Sequence, residues 1–351
     1  MEKEANLYEQ LTNNKVMCTA CARRCIIPDG SHGFCYVRQN KAGKLYLENY
    51  GTLAAIQLDP IEKKPFFHFW PGTYVLGVGT SSCNFGCLFC QNHNISKDKE
   101  ITGYDLSPME LVDLAIKQKA DGIAYTYNEP AIFIEYALDT AKLAHEKGLY
   151  NVFVTNGYLT KEAIDKMKGN IDAAVVDFKG NGSEKFVNKY MAVPSIEPIK
   201  EALVYMKRAG IHIEITDLIV PEVGDSLEEC DKLTKWIHDT LGAETPVQFT
   251  AFFPDYKMLY LYSTPNETLM KHYEVAKKNG LNYVYIGNVP GNKYENTYCP
   301  NCGAKVIGRY SFGITEYNID DKGACKKCGY KIFIDGKRAK KIERRGITVF
   351  Y

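Results

Sequence analysis

Three cysteines fall close together in the stretch Ser82-Cys83-Asn84-Phe85-Gly86-Cys87-Leu88-Phe89-Cys90-Gln91-Asn92, in the order C-x3-C-x2-C. A structural zinc ion takes four protein ligands, so three thiolates do not close one. They suit a [4Fe–4S] cube, holding three irons and leaving the fourth open for chemistry. A zinc ion completed by His93 or by a distant cysteine is the competing reading. The position of His93 counts against it, because it departs from the usual zinc-ligand spacings.

The other cysteines are grouped as well. Of the 12 in the chain, Cys18, Cys21, Cys25 and Cys35 form one set and Cys299, Cys302, Cys325 and Cys328 another, while Cys230 stands alone. Short C-x2-C pairs favour metal over disulfide, and a reducing compartment keeps thiols free to bind it. Cys299-Pro300-Asn301-Cys302-Gly303 and Cys325-Lys326-Lys327-Cys328-Gly329 read as two knuckles of a zinc ribbon or rubredoxin-like site. In each, the glycine permits the tight turn that aims backbone N–H groups at sulfur. Such a closed four-thiolate site is structural by default, and zinc is the expected ion. The N-terminal set is less regular and suits either zinc or an auxiliary iron–sulfur cluster. Cys230 is expected to pack as a small apolar residue in a helix.

Positioning these groups is the work of a chain of 351 residues, enough for one large α/β domain with small appendages or for two ordinary domains. A net charge of +1 with 45% hydrophobic residues is an ordinary globular composition. It argues against a nucleic-acid surface, which needs phosphate-neutralising Lys and Arg. The one cationic run, Lys337 to Arg345, is interrupted by Glu343 and reads as solvated surface. No apolar stretch is long enough to span a bilayer, and Met1 to Asn6 lacks the apolar core of a signal peptide. A cytoplasmic protein without a membrane or nucleic-acid partner is therefore expected.

Between Tyr74 and Asn288 short β-rich runs alternate with capped helical segments. Strands are expected at Tyr74–Gly79, Ile123–Tyr127, Asn151–Thr155, Ala173–Phe178, His212–Val220, Val247–Phe252 and Tyr283–Ile286, all rich in Val, Ile, Tyr or Phe. Ser107-Pro108-Met109-Glu110 and Thr264-Pro265-Asn266-Glu267 carry helix-start signatures, and Ser226-Leu227-Glu228-Glu229 a capping box. Helix ends are expected near Gly148, Gly210, Gly242 and Gly280. Strand, helix, strand at this pitch means parallel βα units, hence an α/β fold with a partial or full TIM-like barrel. The expected division is a Cys-rich segment over 1–69, a barrel over 70–290 and a zinc-ribbon-like piece over 291–351.

In such a barrel the chemistry collects at the C-terminal ends of the strands. There the sequence places the Cys83 loop, Asn128-Glu129-Pro130, Thr155-Asn156-Gly157, Asp177 with Lys179, then Glu214, Thr216 and Asp217, and finally Gly287-Asn288. So many polar strand ends predict one shared site. His68 and His212 are weaker candidates for substrate contact.

The C-x3-C-x-aromatic-C pattern, with Phe89 as the aromatic, resembles the radical S-adenosylmethionine (SAM) superfamily, and the core resembles its pyruvate formate-lyase-activating type. Asp59-Pro60-Ile61-Glu62-Lys63-Lys64-Pro65, the Cys83 loop with Gln91-Asn92 and the terminal cysteine pairs look like the radical SAM protein of the AmmeMemoRadiSam system. The resemblance implies a [4Fe–4S] cluster on Cys83, Cys87 and Cys90 whose open iron chelates SAM. Reductive C–S cleavage then yields a 5′-deoxyadenosyl radical that abstracts hydrogen from a protein or small-molecule substrate. It further implies that Asn128 and Glu129 bind the SAM amino group, for which a carboxylate is a charge-assisted acceptor. Thr155 and Asn156 would meet the ribose or carboxylate, Asp177 and Lys179 would meet SAM or substrate, and Phe89 would pack near the adenine. Implied partners are an electron donor such as ferredoxin or flavodoxin, and a functional link to AMMECR-type and Memo-type proteins. A glycyl-radical enzyme activase and a non-enzymatic metal-binding scaffold are the alternatives.

Overall fold

The computed structural model describes residues 1–336 and the short strand Val349–Phe350; the cationic run Lys337 to Arg345 lies outside the described residues. All seven expected strands form. They are β1 (Tyr74–Gly79), β2 (Gly122–Tyr125), β3 (Tyr150–Thr155), β4 (Ala173–Lys179), β5 (His212–Ile219), β6 (Val247–Ala251) and β7 (Val284–Gly287). Each pairs in parallel with the next, the longest register running from Ala173 opposite His212 to Lys179 opposite Leu218. On the outer side of β1 the strand Ala55–Pro60 adds antiparallel, and Val349–Phe350 adds antiparallel to that. The N-terminal segment thus contributes a strand to the central sheet.

Among the described residues β7 has no partner on its far side, so the barrel is partial. The region beyond β7 is packed by the C-terminal piece, whose strands Lys305–Tyr310 and Gly313–Tyr317 form a hairpin. Its buried Val306, Ile307 and Ile314 share a core with Tyr283, Tyr285 and Phe67. Arg309 ties the two together, donating from Nη2 to the Phe67 carbonyl at 2.7 Å and from Nη1 to Thr297 Oγ1 at 2.8 Å.

Successive strand residues point to opposite faces, and here the two faces bury different material. Leu76 and Val78, Ile123 and Tyr125, Ala174, Val176 and Phe178, Ile213 and Ile215 belong to the main core against the helices. The opposite set, Val75, Ala124, Val152, Ala173 and Val175, packs with Ile61, Phe66 and Phe69 inside the barrel. These three side chains, from the connection between Ala55–Pro60 and β1, plug the lower half of the barrel. The upper half is left for a site.

Local signals behave as expected in most places. Ser107 closes a capping box with Glu110, and Ser226 Oγ accepts from the Glu229 N–H at 3.4 Å. Helices run into Gly148 and Gly280 with φ of 76° and 88°, a conformation natural to glycine. Thr264 departs from its expected role. Its hydroxyl donates to the Ile219 carbonyl at 2.6 Å and accepts from the Phe252 N–H at 2.8 Å, so it joins β5 to the loop after β6 and caps no helix. Cys230 is fully buried on the helix Leu227–Trp236, as a packing residue should be.

Candidate active site and metal centres

The loop after β1 carries Cys83, Cys87 and Cys90 to the C-terminal rim of the strands. There they line one cavity of about 480 Å³ together with Phe89, Asn128, Thr155, Asn156, Asp177 and Lys179. The inward-facing residues of the upper barrel, Val154, Thr216, Leu218, Gln248 and Thr250, line it as well. Among the described residues, no histidine and no fourth cysteine lines it. His93, the alternative zinc ligand, instead approaches Asp255 at 3.5 Å and stacks on Tyr256 at a ring separation of 4.9 Å. Neither His93 nor a further cysteine is thus placed to complete a four-ligand zinc site with the three thiols.

Two cations flank the thiols. Lys179 is ion-paired with Asp177, which raises its pKa although burial acts to lower it, and it also feels Cys87 and Cys90. Lys97 donates to the Phe85 carbonyl at 2.8 Å. Burial pushes the Cys87 thiol up to about 11, with Lys179 and Lys97 opposing. Asp177 also accepts from Thr216 Oγ1 at 2.8 Å, so the Asp177–Lys179 pair is both a structural ion pair and part of the cavity wall.

Several of the expected cofactor-contact residues are also tied into the surrounding frame. Glu129 is fully buried and does not line the cavity. Its Oε1 accepts from Thr155 Oγ1 at 2.8 Å and Ala131 N at 3.0 Å, and its Oε2 from Asn156 N at 2.7 Å. Burial pushes its carboxyl up to about 7 despite these donors. The carboxylate thus holds the start of the next helical segment and the end of β3 together. Asn156 passes the restraint on, donating from Nδ2 to Asn84 Oδ1 at 2.7 Å. Asn128 holds the end of β1 through Thr80 Oγ1 at 3.0 Å and the Ser82 carbonyl at 2.8 Å. Phe89 lines the cavity but also packs against Phe186, with ring centroids 5.7 Å apart.

Glu129→Ala would strand three buried donors, each worth about 1–3 kcal/mol when left unpaired. The expected result is roughly tenfold weaker SAM binding with iron content retained, and a smaller loss for Glu129→Gln. Equilibrium dialysis decides this, and unchanged affinity in the alanine variant would remove Glu129 from the site.

The strand-end rule overreached at β5. Glu214 and Thr216 share the inward face, but only Thr216 reaches the cavity. Glu214 lies a layer lower, accepting from the Phe67 and His68 N–H groups at 2.9 and 2.8 Å. Asp217 has the opposite parity, and burial pushes its carboxyl up to about 8 although the Asn181 N–H donates to it at 3.1 Å. His68 and His212 lie in the lower layer too, near Phe333, and neither lines the cavity. Residues not anticipated include Lys97, Gln248 and Thr250, together with Ser311 and Phe312 of the C-terminal hairpin. Lys63 and Lys64, noticed only as part of a sequence motif, are also lining residues; both donate to Asp59 at 2.8 Å. The inward parity of Gln248 and Thr250 on β6 was a usable signal for those two.

At the C-terminal knuckles the Sγ atoms of Cys299, Cys302, Cys325 and Cys328 all lie within 4.8 Å of one another, with Cys299–Cys328 at 3.6 Å and Cys302–Cys325 at 3.8 Å. A tetrahedron of Zn–S bonds of about 2.3 Å has edges of about 3.8 Å, so the four sulfurs stand ready for one ion. The Tyr330 N–H and the Asn301 amide hold the Cys328 thiol below its usual range, favouring the thiolate a metal needs. Cys328→Ala is expected to lower zinc content and the unfolding temperature while leaving SAM cleavage measurable below that temperature. Lost cleavage at unchanged stability would make the knuckles part of the chemistry.

These features define a parallel βα partial barrel with a three-cysteine loop over an open cavity, an arrangement suited to a cofactor-dependent enzyme. The model of the radical SAM superfamily matches residues 78–237. An uncharacterized protein of Methanocaldococcus jannaschii is 44% identical over 95% of this chain and 99% of its own length. A pyruvate formate-lyase-activating enzyme of Clostridium pasteurianum is 24% identical over 46% of this chain and 68% of its own. Among solved structures, a radical SAM methyltransferase from Sphaerobacter thermophilus matches with a TM-score of 0.48 at 15% identity, covering 62% of this chain and 67% of that one. Residues 78–237 thus form a radical SAM superfamily domain. That membership implies SAM and a [4Fe–4S] cluster, and the cavity's three thiols with one open corner fit such a cluster. No helix among the described residues is long and apolar enough to cross a membrane.

Proposed function

We propose that this protein binds SAM beside Cys83, Cys87 and Cys90 and directs the resulting radical at a C–H bond of a protein substrate. The observation that carries the reading is one cavity lined by three thiols and, among the described residues, by no fourth Cys or His side chain. When bound, the cluster supplies the electron that cleaves the SAM sulfonium to methionine and a 5′-deoxyadenosyl radical. The protein's share is placement and protection. Lys179 and Asp177 offer opposite charges to the aminocarboxylate of SAM, and Lys97 adds positive charge beside the thiolates. The Glu129–Asn156–Asn84 chain of hydrogen bonds holds the loop rigid, and the plug of Ile61, Phe66 and Phe69 bars solvent from below.

A protein substrate is favoured by the mouth of the cavity. Phe253 and Phe312 line it while remaining 44% and 41% exposed, and Leu259, Tyr260 and Tyr262 are exposed on the loop that begins at Phe253. Exposed apolar side chains gathered at a mouth suit docking of another chain. Activation of a glycyl-radical enzyme is the narrower form of this reading, supported by the name of the Clostridium relative. The electron donor would be a ferredoxin or flavodoxin, and a functional link to AMMECR-type and Memo-type proteins rests on the Asp59–Pro65 resemblance. The test is anaerobic incubation of the iron-loaded chain with dithionite and SAM, following 5′-deoxyadenosine by mass spectrometry and the cluster by EPR. Formation of 5′-deoxyadenosine and a SAM-dependent change in the EPR signal are expected; a signal indifferent to SAM, with no nucleoside formed, rejects the function.

A further inference from the structure

We infer that Cys18, Cys21, Cys25 and Cys35 hold a second iron–sulfur cluster, fully capped by thiolates, that relays single electrons toward the Cys83 loop by way of Asn84. The metal assignment stands by itself; the relay rests on the function proposed above.

Two small antiparallel sheets bring these cysteines together. Cys18 ends the strand Val16–Cys18, and its N–H donates to the Cys25 carbonyl at 3.0 Å, closing the turn that carries Cys21. Cys21 itself pairs with Leu159, just past the end of β3, and the neighbouring Ala22 N–H donates to the Tyr158 carbonyl at 2.9 Å. All four cysteines line one pocket, which Arg23, Arg38 and Asn84 also line.

Spacing separates this quartet from the C-terminal one. A single tetrahedral ion needs sulfur–sulfur edges of about 3.8 Å. The C-terminal sulfurs meet that requirement, and no other group of Cys, His, Asp or Glu among the described residues does. Four thiols that face a common pocket without closing to single-ion spacing match a polynuclear core, in which the sulfurs cap different irons. With four protein ligands such a cluster keeps no open iron, so its chemistry is electron transfer and not SAM binding.

Asn84 supplies the connection. It follows Cys83 directly and is buried, and its Oδ1 accepts from Asn156 Nδ2 at 2.7 Å and lies 3.8 Å from Cys83 Sγ. Among the described residues its Nδ2 has no hydrogen-bond partner, and the residue lines the four-cysteine pocket. A buried amide N–H without an acceptor is unfavourable, and the sulfurs of a cluster are the acceptors this pocket would offer. One amide group thus spans the two cysteine sites. Arg23 fixes it further, donating from Nε to the Asn84 carbonyl and from Nη2 to the Ala192 carbonyl at 2.6 Å. In the relay, a low-potential iron–sulfur or flavin protein gives one electron to the N-terminal site. That electron moves on to the Cys83 loop, and the N-terminal site returns to its oxidised state with no bond made or broken.

The decisive experiment uses the full chain carrying Cys83→Ala, Cys87→Ala and Cys90→Ala together, purified without oxygen and analysed for iron, acid-labile sulfide and zinc. The expected result is iron and sulfide at about two to four per chain with a reducible EPR signal that ignores SAM. An iron-free variant, with or without a second zinc, overturns the cluster. The complementary Cys21→Ala/Cys25→Ala chain should cleave SAM with dithionite but at least tenfold more slowly than the unaltered chain with reduced flavodoxin. Equal rates with flavodoxin overturn the relay. If the double variant does not fold, the fate of the electron is read in the unaltered chain by freeze-quenched EPR, where the SAM-indifferent signal must appear before the SAM-sensitive one. Iron in the triple variant together with no SAM response in the unaltered chain would reject the proposed function and leave the second cluster standing.

Discussion

Cys87→Ala is expected to reduce 5′-deoxyadenosine formation to background while the chain stays folded. Cys87 is the buried member of the three, set where both Lys179 and Lys97 act on its sulfur. Its removal leaves two thiols for a group that requires three, so the loss should exceed the 10–100-fold typical of changes to groups that only support a metal ligand, by about another order of magnitude or more. Little of this would come from unfolding, because the side chain lost is small and the loop keeps its anchors at Asn84, Lys97 and the backbone bond from the Gly86 N–H to the Met191 carbonyl, 2.8 Å. The measurement pairs anaerobic product analysis with a thermal melt. Sustained turnover in a folded variant would show that the open-corner cluster is not the initiator.

Arg38→Ala is expected to be the most destabilising single change at a residue that is not itself a candidate metal ligand. Arg38 and Glu135 form an ion pair whose side chains are only 2% and 1% exposed. The guanidinium donates to Glu135 through both terminal nitrogens, and Nε donates to the Ile132 carbonyl at 3.1 Å. Through Glu135 the pair also holds the Asn6 N–H, at 3.3 Å. It therefore joins the N-terminal sheets to the helix Ile134–Glu146 of the barrel. Breaking a buried pair leaves an uncompensated charge and costs about 3–5 kcal/mol. Arg38→Met with Glu135→Leu should lose far less, because neither charge remains. Denaturant melts of the two variants check this; equal losses would mean that packing, and not the stranded carboxylate, dominates.

Much of the framework was legible because it is governed by local rules. The seven strands announce themselves by β-branched and aromatic runs, and the period of two sorts Leu76, Val78, Ile123 and Tyr125 from Val75 and Ala124 before any coordinates are known. The cysteine sets are visible for the same reason: spacing alone brings Cys299 to Cys302 and Cys83 to Cys90. Parity could not supply depth, however. Glu214 and Thr216 share a face, yet one reaches the lower plug and the other the cavity.

The amino-acid order alone determined which residues can bind metal and which strands must run parallel, since both follow from neighbours a few positions apart. Only the tertiary structure decided that the barrel stays open beyond β7, that Glu129 turns away from the cavity, and that a C-terminal hairpin supplies Ser311 and Phe312 to its wall. It also decided that Asn84 stands between two cysteine sites. These outcomes depend on contacts between distant segments, such as the bond from Asn156 to Asn84 and that from Arg309 to Phe67. Such contacts exist only once the hydrophobic faces have packed, and no local periodicity encodes them.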